Sequence, residues 1–145
     1  MVREISNRMM DVLFKAARER SISLEKLAEG TEYSVEYLEN KKERIEWPAF
    51  VRICANAGKL WSDEELEALG GAFFRTPLVR SILTPARLLF TPRGLYQWVL
   101  GDPKGLGQQM VPCATNAYKE LGPDRAQLVL TFPPDYERCP PFFTI

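Results

Sequence analysis

The side chains able to do chemistry in this sequence are cysteines, carboxylates and arginines, because its 145 residues include no histidine. That removes the usual general base, the usual transition-metal ligand and the usual proximal haem ligand. The three cysteines, Cys54, Cys113 and Cys139, are far apart and lack C-x-x-C spacing, so neither a disulfide framework nor a zinc site is expected. Cys113 and Cys139 flank a candidate hairpin and could meet in space, but with no histidine to activate them buried structural thiols are the better reading.

Asp63-Glu64-Glu65 places three carboxylates together, directly after Ser62. This is the pattern of a capping box, in which the serine and the third residue satisfy each other's backbone donors, so a helix start explains the cluster better than acid–base catalysis. Gly101-Asp102-Pro103-Lys104-Gly105-Leu106-Gly107 has the glycines of a phosphate loop without the order G-x-x-x-x-G-K-[ST], and reads as a turn. Arg75, Arg80, Arg87 and Arg93 could hold a phosphate or carboxylate by bidentate contacts, although scattered surface arginines are the simpler account. The sequence therefore predicts a non-enzymatic chain with no catalytic set, no metal site and no cofactor. The candidate ligand site is aromatic: Phe90, Tyr96, Trp98 and Tyr118 could line a pocket where helices meet a hairpin, with Arg93 beside them, or could fill the core.

The elements that would position these groups differ between the halves. Ile5, Met9, Val12, Leu13 and Ala16 recur at helical spacing and predict one helix of several turns. Ser23 and Ser34 can cap short helices burying Leu24, Leu27 and Ala28, then Val35 and Leu38, with Gly30 ending the first in a left-handed conformation. Trp47-Pro48 opens a helix with Phe50, Val51, Cys54 and Ala57 inward, and Ser62 opens another with Leu66, Leu69, Phe73 and Phe74. Thr76-Pro77, Thr84-Pro85 and Thr91-Pro92 predict short helices broken at each pair. Met110 to Leu121 reads as a strand, and Gln127 to Phe132 alternates so that Leu128, Leu130 and Phe132 share a face. Gly122-Pro123-Asp124 would join the two as an antiparallel hairpin, which must pack on helices or further strands.

Composition sets the class. With 46% hydrophobic and 26% charged residues the chain should fold as a globular protein. Residues 1–70 carry 11 Lys+Arg against 14 Asp+Glu and residues 71–145 carry 8 against 5, so neither half has the basic excess of a chain that lives by gripping nucleic acid or anionic membrane. The start lacks the apolar stretch of a signal peptide, no run approaches the ~18 apolar residues of a span, and a cytoplasmic location with reduced thiols is expected. The apolar end, Pro140-Pro141-Phe142-Phe143-Thr144-Ile145, predicts that the chain is part of a longer protein.

Two resemblances bear on function. Phe14-Lys15-Ala16-Ala17-Arg18-Glu19-Arg20, Ser23-Leu24-Glu25-Lys26-Leu27-Ala28 and Tyr33-Ser34-Val35-Glu36-Tyr37-Leu38, within residues 13–60, resemble the first helices of a lambda-repressor-like helix-turn-helix domain. That resemblance implies DNA binding through Ser34, Tyr37, Asn40, Lys41 and Lys42. Glu32, Glu36 and Glu39 would face phosphates there, so a packing or dimerisation module ranks ahead of DNA binding. Trp61 to Leu66 with Leu69-Gly70, Thr91 to Trp98, Leu128-Val129-Leu130, Pro133 to Tyr136 and Cys139 to Phe143 together resemble the N-terminal input region of bacterial sensor histidine kinases. This implies a helical lead-in before a small α+β sensory module.

The expectation is thus an α+β fold, with a helical module over 1–75 and a sensory module over 76–145 in one compact unit. Its function would be regulatory input, through a small-molecule ligand, self-association or a downstream output domain, with no membrane contact. A helix-turn-helix transcriptional regulator is the alternative.

Overall fold

The structure, a computed structural model, describes residues 3–73, 75, 77, 80, 81, 84, 85, 91–123 and 125–139. Phe74, Thr76, Arg87, Phe90 and the Pro140–Ile145 end lie outside the described residues. The fold is α+β, with seven α-helices among the described residues and two antiparallel two-stranded sheets. The chain divides into two compact units, Met1–Arg80 with Glu137–Ile145, and Ser81–Tyr136.

The first unit begins with β1 (Ile5–Ser6), which pairs antiparallel with β2 (Arg44–Ile45), Ile5 opposite Ile45. The helix expected from Ile5 is therefore shorter. Ser6 caps a 3-10 turn over Asn7–Met10, accepting the Arg8 N–H at 3.4 Å, and α1 runs only over Asp11–Glu19. Its buried residues are Leu13, Phe14, Ala16 and Ala17, with Met10 buried just before it, while Met9 and Val12 are half-buried. Ile5 scanned as helical because its spacing fits, but its backbone is taken by the long-range ladder, which local periodicity cannot reveal.

Helices α2 (Leu24–Ala28) and α3 (Val35–Glu39) are single short segments. Ser34 caps α3 as expected, accepting the Tyr37 N–H at 3.2 Å, whereas the Ser23 hydroxyl bonds the Glu25 carboxylate and caps no backbone group. Gly30 does end α2 at φ 73°. Helix α4 (Trp47–Leu60) starts at Trp47-Pro48 and buries Trp47, Phe50, Val51, Ile53, Cys54 and Ala57. Helix α5 (Asp63–Phe73) carries both capping-box bonds, Ser62 N–H to Glu65 at 2.8 Å and Glu65 N–H to the Ser62 hydroxyl at 3.3 Å. Arg20, at 2.7 Å from Glu65, together with the Ser62 N–H holds that carboxyl below the usual carboxylate range.

The C-terminal segment completes this unit. The Trp47 indole donates to the Glu137 carbonyl at 2.8 Å, and Cys139, 1% exposed, lies against Cys54. Cys139 is thus a core residue of the first unit, a free thiol hydrogen-bonded with that of Cys54 on α4.

In the second unit, Thr91 caps α6 (Pro92–Tyr96) by accepting the Gly94 N–H at 3.2 Å, and the chain continues as a π-helical turn over Gln97–Gly101. Helix α7 (Leu106–Met110) follows, then β3 (Thr115–Gly122) and β4 (Arg125–Thr131). The expected strand from Met110 begins at Thr115 instead. Pro112 has no N–H to give a ladder, and the Gln108 amide ties the Pro112 and Ala114 carbonyls at 3.0 and 2.9 Å, folding 111–114 into a turn. The hairpin pairs Tyr118 with Leu128 and Glu120 with Ala126, with Leu121 bulged out before Gly122 meets Arg125. Leu128 is half-buried and Leu130 exposed, and Phe132 falls just beyond the strand. Val99, Met110, Val111 and Ala114 form the small core. No helix among the described residues is long and apolar enough to cross a membrane.

Candidate functional site

The sequence-predicted ligand residues converge in part. Arg93, Tyr96 and Tyr118 line one cleft of about 220 Å³ between α6 and the turn end of the hairpin, in company with Glu120, Pro123 and Arg125. The Thr91 cap and Pro92 fix the first turn of α6, so Arg93 projects from a set position. Side chains two apart on a strand share a face, which puts Tyr118 and Glu120 on the cleft side together, with Ala126 opposite Glu120. Tyr118 is held from beneath: a Cβ on Gly101 would stand 2.6 Å from the Tyr118 Cβ, so the turn approaches the strand as closely as glycine permits. Trp98 sits half-buried on the π-helical turn and does not line this cleft, and Phe90 lies outside the described residues.

The cleft sets charged side chains beside aromatic ones. Arg93 forms a two-point ion pair with the Glu120 carboxylate, and Arg125 brings a second guanidinium from the start of β4. Two guanidiniums against one carboxylate leave a positive balance, and the Tyr96 and Tyr118 rings offer flat apolar surface beside it. Tyr96 is 59% exposed, more than a core aromatic would be. Glu120 and Arg125 were not singled out from the sequence; the signal was the register, since Glu120 follows Tyr118 by two.

The residues implied by helix-turn-helix resemblance are engaged elsewhere. The Ser34 hydroxyl is spent on its cap. The Tyr37 hydroxyl donates to the Arg44 carbonyl at 2.9 Å and accepts from Arg3 at 3.2 Å, while its ring stacks on Tyr33 with centroids 4.8 Å apart. The Asn40 Oδ1 accepts the Lys42 N–H, and Lys41 is paired with Asp11 at 2.6 Å. Of the five, Lys42 alone keeps a side chain outside any such bond. Glu36 stands exposed on α3, and Glu39 is paired with Arg18.

No family model, curated protein or solved structure matches this chain.

The carboxylate cluster and the glycine loop are engaged within their own segments. Asp63 to Glu65 form the first turn of α5. In the glycine loop the Asp102 side chain accepts the Lys104 N–H at 2.7 Å, and Gly105 sits so close to the Trp98 carbonyl that a Cβ would collide with it. Among the described residues no group of three or more His, Cys, Asp or Glu could hold a metal.

Two buried asparagines went unread. Asn7 donates to the Tyr37 and Asn40 carbonyls at 2.8 and 3.2 Å, and Asn56 donates to the Leu27 and Glu29 carbonyls at 3.0 and 2.7 Å. Each closes the C-terminal end of a short helix, α3 and α2 respectively, that has too few turns to stand alone.

Proposed function

We propose that this chain is a non-catalytic regulatory input module of an intracellular bacterial signalling protein, reading a small anionic ligand with an aromatic or planar body. The observation that carries the proposal is the cleft that joins Arg93, Tyr96 and Tyr118 with Arg125. Guanidiniums would take a carboxylate or phosphate in bidentate fashion and the phenol rings would stack the body. The ligand would replace Glu120 as partner of Arg93 or share it, and so bias α6 against the hairpin. Leu121, Val129 and Leu130, exposed by 56, 41 and 37%, support self-association through the hairpin as the second route of input.

Thermal-shift titration with a panel of aromatic carboxylates and phosphates tests the ligand. At least one should raise the unfolding midpoint of the parent chain and fail on Arg93→Ala and Tyr118→Ala. If none does, sedimentation equilibrium decides whether self-association alone remains.

DNA binding is the weaker alternative. The α1–α4 helical order favours it, but Lys41 is neutralised by Asp11 and Glu36 stands exposed. Absence of duplex binding at low salt would end it.

A further inference from the structure

A cavity of the first unit lies where α1, Lys41 and α5 converge. It measures about 400 Å³, within the range of small-ligand sites and larger than the cleft on the second unit. Its floor is apolar and built from Val12, Ala16, Leu69 and Ala72. The two alanines are why space remains: larger residues facing each other from α1 and α5 would close it. Val12, Leu69 and Ala72 are only half-buried, so apolar surface on the floor is uncovered.

The rim is cationic. Lys15, Arg18, Lys41 and Arg75 stand against Asp11 and Glu19, a balance of plus two inside a half of the chain that is net negative. Not all four are available. Lys41 is held by Asp11 at 2.6 Å, and Arg18 by Glu39. Lys15 meets Glu19 only at 3.9 Å with both side chains more than 60% exposed, a pair that water screens almost completely. Arg75 has no partner among the described residues, and the turn that carries it is fixed by its own N–H on the Ala72 carbonyl at 2.9 Å. Two cations with spare capacity thus border an uncovered apolar floor.

We infer that this groove binds a small amphiphilic carboxylate, its hydrocarbon body on Val12, Ala16, Leu69 and Ala72 and its head group between Lys15 and Arg75. A fork of guanidinium donors matches a carboxylate, and a single negative charge fits better than a dianion because Asp11 and Glu19 share the lining. The ligand would bridge α1 to α5, two helices distant in sequence that pack against each other. This site is independent of the cleft at Arg93.

Calorimetric titration of the full chain with octanoate tests the assignment, with acetate as the head group alone and octan-1-ol as the body alone. Octanoate should bind with millimolar or better affinity, and each control at least roughly tenfold more weakly. Arg75→Gln should weaken octanoate by roughly tenfold, the loss of one charge-assisted contact, and Lys15→Gln by less. Both side chains are exposed, so both variants should keep the parent unfolding midpoint. Arg93→Ala should leave octanoate binding unchanged. No octanoate binding, equal binding of acetate or octan-1-ol, parent-like affinity in Arg75→Gln, or loss of affinity in Arg93→Ala would each overturn the inference. The last result would instead move the carboxylate to the other cleft.

Discussion

The Cys54 thiol on α4 and the Cys139 thiol near the chain's C-terminal end hydrogen-bond to each other inside the first unit, at 0 and 1% exposure. That bond and burial together push the Cys54 thiol well above its ordinary value, so no thiolate forms there near neutral pH. In the folded protein a water-soluble thiol reagent should therefore label Cys113, which is half-buried, ahead of the other two. Counting labelled sites by mass spectrometry before and after denaturant checks this. Rapid native labelling of Cys54 would mean that the C-terminal segment leaves the core.

The two buried asparagines set up a second expectation. Asn56→Ala removes the side-chain donor of the Leu27 and Glu29 carbonyls and should destabilise the first unit by about 1–3 kcal/mol, whereas Asn7→Ala should cost less, because the Tyr37 and Asn40 carbonyls also accept the Asn40 and Glu43 N–H groups. Because Asn7 serves α3 and Asn56 serves α2, the double variant should show close to additive losses. Urea unfolding followed by far-ultraviolet circular dichroism measures both.

Three glycines should respond in three ways to alanine. At Gly71, within α5, nothing lies within 4 Å of an added Cβ, and Gly71→Ala should stabilise by up to about 1 kcal/mol through helix propensity. Gly101→Ala must push Tyr118 away and should destabilise by about 1–3 kcal/mol while weakening any ligand in the cleft. Gly105→Ala meets backbone, which cannot swing aside as a side chain can, and should be the most damaging of the three. Unfolding midpoints rank them.

Tyr33 supplies a pH signature. Burial and its hydrogen bond to the Glu46 carboxylate push its phenol up to about 12, against about 10 in an unfolded chain. A folded value above the unfolded one means the contribution is complete below about pH 10 and is lost as pH rises toward about 12. Ultraviolet difference absorbance should show Tyr33 titrating late, a component lost in Tyr33→Phe, beside Tyr37, whose phenol burial also pushes up. The same variant should flatten the alkaline fall of the unfolding midpoint.

What could be read from the sequence was mostly decided within a turn of chain, the Ser23 cap, whose hydroxyl turns to Glu25, being an exception. The Ser62 capping box, the Thr91-Pro92 and Trp47-Pro48 helix starts and the left-handed Gly30 each depend on neighbours a few residues away, and each is present. Features decided at long range were missed. Ile5 belongs to a ladder with Ile45, Cys139 bonds Cys54, and Asn7 serves a helix beginning at Val35. The candidate cleft falls between these cases: Arg93, Tyr96 and Tyr118 were visible as residue types, whereas Glu120 and Arg125 needed the hairpin register and Leu121's bulge.

The path of the chain has one further effect. It leaves the first unit at Arg80 and re-enters it at Glu137, where the Trp47 indole and the Cys54 thiol hold the returning segment. A protease cut at the exposed Gly122–Pro123 tip would sever the covalent thread without parting the pieces, because the distal fragment stays moored in the core of the proximal one. Nicked protein should co-elute as a single species and fall into two only when that mooring is melted.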